Sequence, residues 1–181
     1  MEETMLHTQR LVLRKWGEAD ADSLFEYAKD PDVGPSEGWP PHESKAESLE
    51  VIKNVLNGTE CYAICKKGSD KAISPIELRP IVREDGTKRN DERELGFWLG
   101  KPFLGNGYMP EAAEEIIRHG FEDLSLGVIW FSYHGKPKIE TGPRENWIPA
   151  PSYLREYPPF LCWANIGPGT RISWQKPAGC P

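Results

Sequence analysis

No apolar stretch in this 181-residue chain approaches the ~18 residues that a membrane-crossing helix requires. The opening Met1-Glu-Glu-Thr-Met-Leu-His7 lacks both a basic segment and an apolar core, so no secretory leader is expected and the default location is cytoplasmic. Cysteine is scarce. Cys61 and Cys65 stand four apart in an apolar run, and Cys162 and Cys180 are isolated, so neither a disulfide framework nor a zinc site is expected. Buried or incidental thiols are the better reading. Positive charge is in deficit, with 22 Lys and Arg against 28 Asp and Glu and a net charge of −6. The deficit is uneven: residues 135–181 carry +3 and the preceding part −9. An acidic body argues against nucleic acid as a partner and favours cationic substrates such as amines. Internal repeats are absent. With 38% hydrophobic and 28% charged residues, the composition is that of a soluble globular chain of one domain.

Residues 8–14 alternate, with Leu11 and Leu13 on one face, and predict a first strand. Asp20 or Asp22 can cap a helix running to about Lys29, which Asp30-Pro31 ends. A Gly- and Pro-rich loop follows from Val33 to His42 and carries Trp39. Ser44 and Glu47 form a capping-box pattern before a second helix with Leu49, Ile52, Val55 and Leu56 as its stripe. Cys61 to Lys66 and Ile73 to Arg79 predict strands, the second containing Pro75, which demands an edge or a bulge. The charged stretch 80–93 reads as a long loop.

Glu94 to Gly100 is strand-like, Lys101 to Gly107 is a glycine-bearing turn, and Pro110 to Leu124 is an amphipathic helix. The helix buries Ala112, Ala113, Ile116, Ile117, Phe121 and Leu124, leaving Arg118 and His119 on its exposed face. A strand from Gly127 follows. A strand that passes through a glycine turn into a helix can hold a phosphate, because first-turn amides have no intrahelical partner and the peptide dipoles favour negative charge there. The expected donors are the amides of Leu104, Gly105, Asn106, Gly107, Tyr108 and Met109. A G-x-G pattern alone fits a plain helix entry as well. Gly96 inside the strand hints at a bulge or a close ligand approach.

The run Glu94-Leu-Gly-Phe-Trp-Leu-Gly-Lys-Pro-Phe-Leu-Gly-Asn-Gly-Tyr-Met-Pro-Glu-Ala-Ala resembles the acetyl-CoA motif of GNAT acetyltransferases, in the branch of the ribosomal-protein N-terminal alanine acetyltransferases. Thr8 to Arg14, the Asp20 helix and the Trp39-Pro-Pro-His42 loop resemble the same branch, so the likeness covers roughly residues 6–130. It implies an α+β fold with a mixed, mostly antiparallel sheet and helices on both faces, whose central strand pair splays at 94–100. It also implies acetyl-CoA as co-substrate, no metal, and a small amine or a protein N-terminus as acceptor. Neither nucleic acid nor membrane is a partner, and a homodimer is left open. The backbone of Phe97, Trp98 and Leu99 would pair with the pantetheine arm, and residues 104–109 would seat the pyrophosphate. Where the family pattern has Gln or Arg, this chain has Pro102, at little cost to a seat made of backbone amides.

An attacking amine must be neutral, so a base is required, and Glu94 is the candidate. It reads equally as one more solvated charge of the 91–94 cluster. A backbone amide near Phe97 or Trp98 is the candidate oxyanion donor, and the family draws its thiol-side acid from a tyrosine on the next helix. Trp39 and His42 could line the acceptor pocket, although Trp39 could also simply pack and His42 be an ordinary loop histidine.

Residues 1–134 read as the domain core and 135–181 as an atypical tail holding nine of the 17 prolines. The tail lacks the helix with an Asn…Ser…Gly-Phe signature and the final strand pair that the resemblance calls for. An out-of-frame reading accounts for this. One base later, the choices open across 135–149 include Ala-Asn-Pro-Lys-Ser-Lys-Arg-Val-Gln-Glu-Lys-(Thr or Ile)-Gly-Phe. A frameshifted remainder would leave the strand at 127–130 with an unpaired edge, and the protein a non-catalytic acyl-CoA-binding remnant.

Overall fold

Leu11 and Leu13 are fully buried while Val12 and Arg14 are not, the period-two signature of a strand with one face on a core. The computed structural model describes residues 4–34, 38–82, 86–133, 163–165 and 170–175. The chain divides into two units, one of Met1–Glu77 with Phe97–Ala112 and the other of Leu78–Gly96 with Ala113–Pro181.

In the first unit, β1 (Leu6–His7) and β2 (Leu11–Arg14) form a hairpin, so the single strand expected at 8–14 is its second arm. Thr8 closes it, its amide donating to the Leu11 carbonyl and its hydroxyl accepting from the Leu11 amide. The sheet continues through β3 (Cys61–Lys66) to β4 (Ala72–Val82), antiparallel throughout. Pro75 lies opposite Ala63, beside a register shift at Ile64/Cys65, the irregularity that a proline in a strand requires. Burial pushes the Cys61 thiol up to about 12 and the Cys65 thiol up to about 11. Cys162 and Cys180 lie outside the described residues.

Helix α1 (Ala21–Ala28) begins without a side-chain cap, because Asp20 is committed elsewhere. Its carboxylate takes both terminal nitrogens of Arg14 at 2.7 Å and the Gly17 amide at 2.9 Å. Helix α2 (Lys45–Asn54) has its cap: the Glu47 amide donates to Ser44 Oγ at 3.1 Å. The return half of the box is displaced by one residue, since the Glu47 carboxylate accepts from the Glu43 amide at 2.6 Å. Leu24, Ala28, Ile52, Leu56 and Cys61 make the core here, flanked by Trp16, Trp39, Val51 and Trp98. Val55, expected on the buried stripe, is exposed, because the helix stops at Asn54.

In the second unit the strand order is β4, β5 (Lys88–Phe97, of which Lys88–Gly96 lies here), β6 (Val128–Tyr133), β8 (Thr170–Gln175), β7 (Trp163–Asn165). The reading of 80–93 as a loop is overturned: β4 runs to Val82 and β5 starts at Lys88. Backbone pairing, not side-chain periodicity, forms this stretch. β5 pairs in parallel with β6 from Glu92↔Val128 to Leu95↔Phe131, and the ladder stops there while β6 runs on to Tyr133. The expectation of an unpaired edge at this strand is also overturned, since β6 pairs antiparallel with β8 over six residues. Most of the tail lies outside the described residues.

Helix α3 (Tyr108–Glu122) enters this unit at Ala113. Ala113, Ile116, Ile117 and Phe121 are buried as the pattern predicts. Leu124 lies past the helix end and Leu126 is buried instead, after Ser125 turns the chain with φ +55°. His119 is not exposed as expected: it is 4% accessible, one turn from Ile116, with Nδ1 2.8 Å from Asp123 Oδ2. The pairing, mixed with one parallel ladder, and the interspersed helices make the class α+β, as the sequence implies.

Candidate functional site

The first unit holds the strand end at Phe97, the glycine turn and the first turn of α3. Three contacts set the entry to the turn. Ser74 Oγ donates to the Trp98 carbonyl, which fixes the 98–99 peptide and directs the Leu99 N–H to the other side. The Gly100 amide donates to the Ile73 carbonyl, and Phe103 packs edge-on against Tyr27 with ring centres 5.3 Å apart. Lys101 Nζ pairs with Asp30 at 3.0 Å and with Asp32.

Leu104 to Gly107 then lie exposed, with Gly105 at φ +75° and Gly107 at φ +71°, a region that side-chain-bearing residues enter only at a cost. Tyr108 and Met109 open α3. Among the described residues, the amides of Gly105, Asn106, Gly107, Tyr108 and Met109 donate to no acceptor in the protein. Behind the turn, Arg10 Nη1 donates to the Asn106 carbonyl at 2.9 Å and Nη2 to the Gly107 carbonyl at 3.1 Å. Since carbonyl and following N–H point oppositely in a trans peptide, the Gly107 and Tyr108 amides face away from Arg10. Unpartnered amides gathered at the positive end of a helix, with no Cβ on either glycine, fit a diphosphate. The amides of 105–109 would hold it there. That of Leu104, expected among the donors, is not free, because it closes the preceding turn on the Lys101 carbonyl at 3.2 Å.

The carboxylate of Glu111 accepts from Thr8 Oγ1 at 2.6 Å, the Arg10 amide at 2.7 Å and Arg10 Nε at 2.6 Å. Burial alone would raise its pKa, but these donors outweigh burial and leave it below the usual carboxylate range. Arg10 and Glu111 were not among the expected site residues. Both lie in segments that carry the family resemblance, yet no local pattern pairs positions so far apart.

Trp39, His42 and Trp98 come together beside this turn's strand. The Trp39 ring lies 5.3 Å from His42 and 5.6 Å from Trp98, centre to centre. Trp39 covers Gly34 so closely that a Cβ there would lie 2.5 Å from the indole, and this seats the loop. His42 Nδ1 is 2.8 Å from Ser48 Oγ, and burial lowers the imidazole pKa against the raising influence of Glu47. At neutral pH the ring is therefore uncharged.

Glu94 belongs to the second unit. It is half-buried on β5, and Arg79 Nε donates to its Oε2 at 3.1 Å. It is therefore not simply a solvated member of the 91–94 cluster. Among the described residues no three His, Cys, Asp or Glu side chains group as metal ligands, and no helix is long and apolar enough to cross a membrane.

The family model of the acetyltransferase (GNAT) domain matches residues 10–136. The chain is 31% identical over 156 residues to p20, an uncharacterized N-acetyltransferase of Bacillus licheniformis, with 83% of each chain covered. Among solved structures, a GNAT-family acetyltransferase from Bacillus anthracis aligns at TM-score 0.65 and 16% identity, covering 94% of this chain and 96% of that one. A Vibrio cholerae structure, provisionally assigned as a ribosomal-protein-serine acetyltransferase, aligns at TM-score 0.62 and 18% identity, covering 96% and 98%. At such identities the two structures speak for the fold alone.

Proposed function

This chain belongs to the GNAT acetyltransferase family, and from that premise we propose that it moves an acetyl group from acetyl-CoA to a primary amine, either a small molecule or a protein N-terminus. The observation that carries this reading is the set of unpartnered amides at 105–109, turned outward by Arg10 and backed by the α3 dipole. Family members use acetyl-CoA as donor, and a diphosphate on those amides would bring the thiol arm along Phe97, Trp98 and Leu99.

Trp39, His42 and Trp98 would receive the acceptor. Aromatic faces favour an ammonium, and an uncharged imidazole does not repel it. A lysine-like amine has a pKa of ~10.4, so a proton must leave before attack. Glu94 takes that proton, directly or through water. A strand-end amide near Phe97 or Trp98 donates to the thioester oxygen as it gains charge. The amine nitrogen then bonds to the acyl carbon, the carbon–sulfur bond breaks, and the sulfur leaves as thiolate to be protonated. The stretch of chain in which the resemblance calls for the acid lies outside the described residues.

One observation favours a second reading, an acyl-CoA-binding remnant without turnover: the family match ends at residue 136 of 181. Thiol release from acetyl-CoA, measured with a panel of small amines and N-terminal peptides, decides between the two. Amine-dependent release supports the transferase. Coenzyme A binding without release from any member supports the remnant, and absence of both sinks the seat itself.

A further inference from the structure

A densely bonded side-chain cluster outside the expected site residues is formed by Thr8, Arg10 and Glu111. Arg10 makes five contacts on two elements. Its amide and Nε donate to Glu111, Nη1 and Nη2 donate to the carbonyls of Asn106 and Gly107, and its guanidinium carbon lies 4.8 Å from the Tyr108 ring centre. The Glu111 carboxylate accepts the two bonds from Arg10 and that of Thr8. The fork is planar and rigid, so three contacts of fixed relative direction define one loop shape.

We propose that Arg10 is a positioning residue for the phosphate-binding turn: held by Glu111, it fixes the 106–107 and 107–108 peptide planes so that their amides converge on the ligand. This rests on the reading of 104–109 as the pyrophosphate seat. Arg10 itself works from behind, through the carbonyls, and need not touch the ligand. Two simpler roles make different predictions. As a mere counter-charge to the diphosphate, Arg10 would be replaceable by lysine. As an opposing charge, Glu111 would weaken anion binding, so removing it would tighten binding.

The test uses the full chain with Arg10→Met, Arg10→Lys and Glu111→Gln. Two readouts are taken: amide hydrogen exchange across 104–109 without ligand, and the dissociation constant for coenzyme A by calorimetry at fixed salt. Arg10→Met is expected to speed exchange at 105–109 and to weaken coenzyme A by about tenfold or more, the scale of losing charge-assisted hydrogen bonds. In turnover the loss falls on KM for acetyl-CoA, with kcat held within about twofold. Arg10→Lys keeps the charge but cannot reach both carbonyls and Glu111 together, so it is expected to share most of the defect. Glu111→Gln is expected to loosen binding although it makes the site more positive. Unchanged exchange in a folded Arg10→Met protein, full function in Arg10→Lys, or tighter coenzyme A binding in Glu111→Gln each overturns the proposal. Should Arg10→Met fail to fold, Arg10→Lys and Glu111→Gln decide it. Should the unaltered protein not bind coenzyme A, the seat reading fails, and the exchange comparison still judges Arg10.

Discussion

Arg79 Nε donates to Glu94 Oε2 across 3.1 Å, with the carboxylate half-buried and the guanidinium half-exposed. The pair gives the proposed base a fixed direction, which a solvated glutamate on a strand would lack. Glu94→Gln keeps the size and an acceptor oxygen but cannot take a proton. It is expected to lower kcat by about 10²–10³ while KM for acetyl-CoA stays nearly constant. Steady-state assay at saturating acetyl-CoA measures this, and a loss under threefold removes Glu94 from the mechanism.

Gly107 at φ +71° has Arg10 Nη2 3.4 Å from where a Cβ would stand, whereas Gly105 at φ +75° has open space around it. Alanine at either position meets backbone strain of about 1–2 kcal/mol. Gly107→Ala also presses on the brace, so it should weaken coenzyme A binding more than Gly105→Ala does. The rise in unfolding midpoint on adding coenzyme A is the measurement. Equal shifts for both variants would count against the difference.

Burial lowers the His42 pKa, so the folded state keeps the imidazole neutral where the unfolded chain would already be protonated. The associated stability is therefore present above the unfolded value of about 6.5 and is lost as pH falls through the lower folded value. His42→Asn, which can still bond Ser48, should flatten the decline of the unfolding midpoint between pH 7 and pH 5 (taken as a roughly two-unit window around that value). Parallel profiles for the two proteins would contradict the assignment.

How much could be read in advance differs by element, for physical reasons. The α3 stripe, the Ser44 cap and the Leu11–Leu13 alternation are written in the local sequence, and each forms where expected except for Leu124, which falls beyond the helix end. Residues 88–94 hide their strand because Lys88, Asn90 and Asp91 disfavour strands locally, and pairing within the sheet, with β4 as one neighbour and with β6 from Glu92 onward, decides their state. His119 misleads for a similar reason. A charged-looking residue beside Arg118 suggests solvent, yet its angular position on the helix, three residues past Ile116, buries it, with Nδ1 meeting the exposed Asp123. The glycine turn was legible as a turn, but the side chain that shapes it lies on the opening hairpin. Trp39 and His42 were nameable from the loop that resembles the family, while their meeting with Trp98 is a tertiary fact.

Ser125 holds φ +55° just after α3, where the Leu126 amide bonds back to the Gly120 carbonyl at 2.9 Å. This is a left-handed helix exit occupied by a residue other than glycine. Ser125→Gly should raise stability by about 0.5–1 kcal/mol, the strain relieved exceeding the extra freedom given to the unfolded chain. Urea denaturation measures it, and a lower midpoint in the variant would show that the serine is not strained.

Thr8 and Glu111 are 103 residues apart in the chain, and Arg10 and Asn106 are 96 apart. Contacts of such span close only after the intervening polypeptide has collapsed, because the entropy of the large loop must be lost first. The nascent protein would thus acquire the proposed anion seat late, when the β1–β2 hairpin meets a helix made about a hundred residues afterwards. Nucleotide capture by the proposed seat during refolding would consequently report completion of the first unit, not the appearance of its helices.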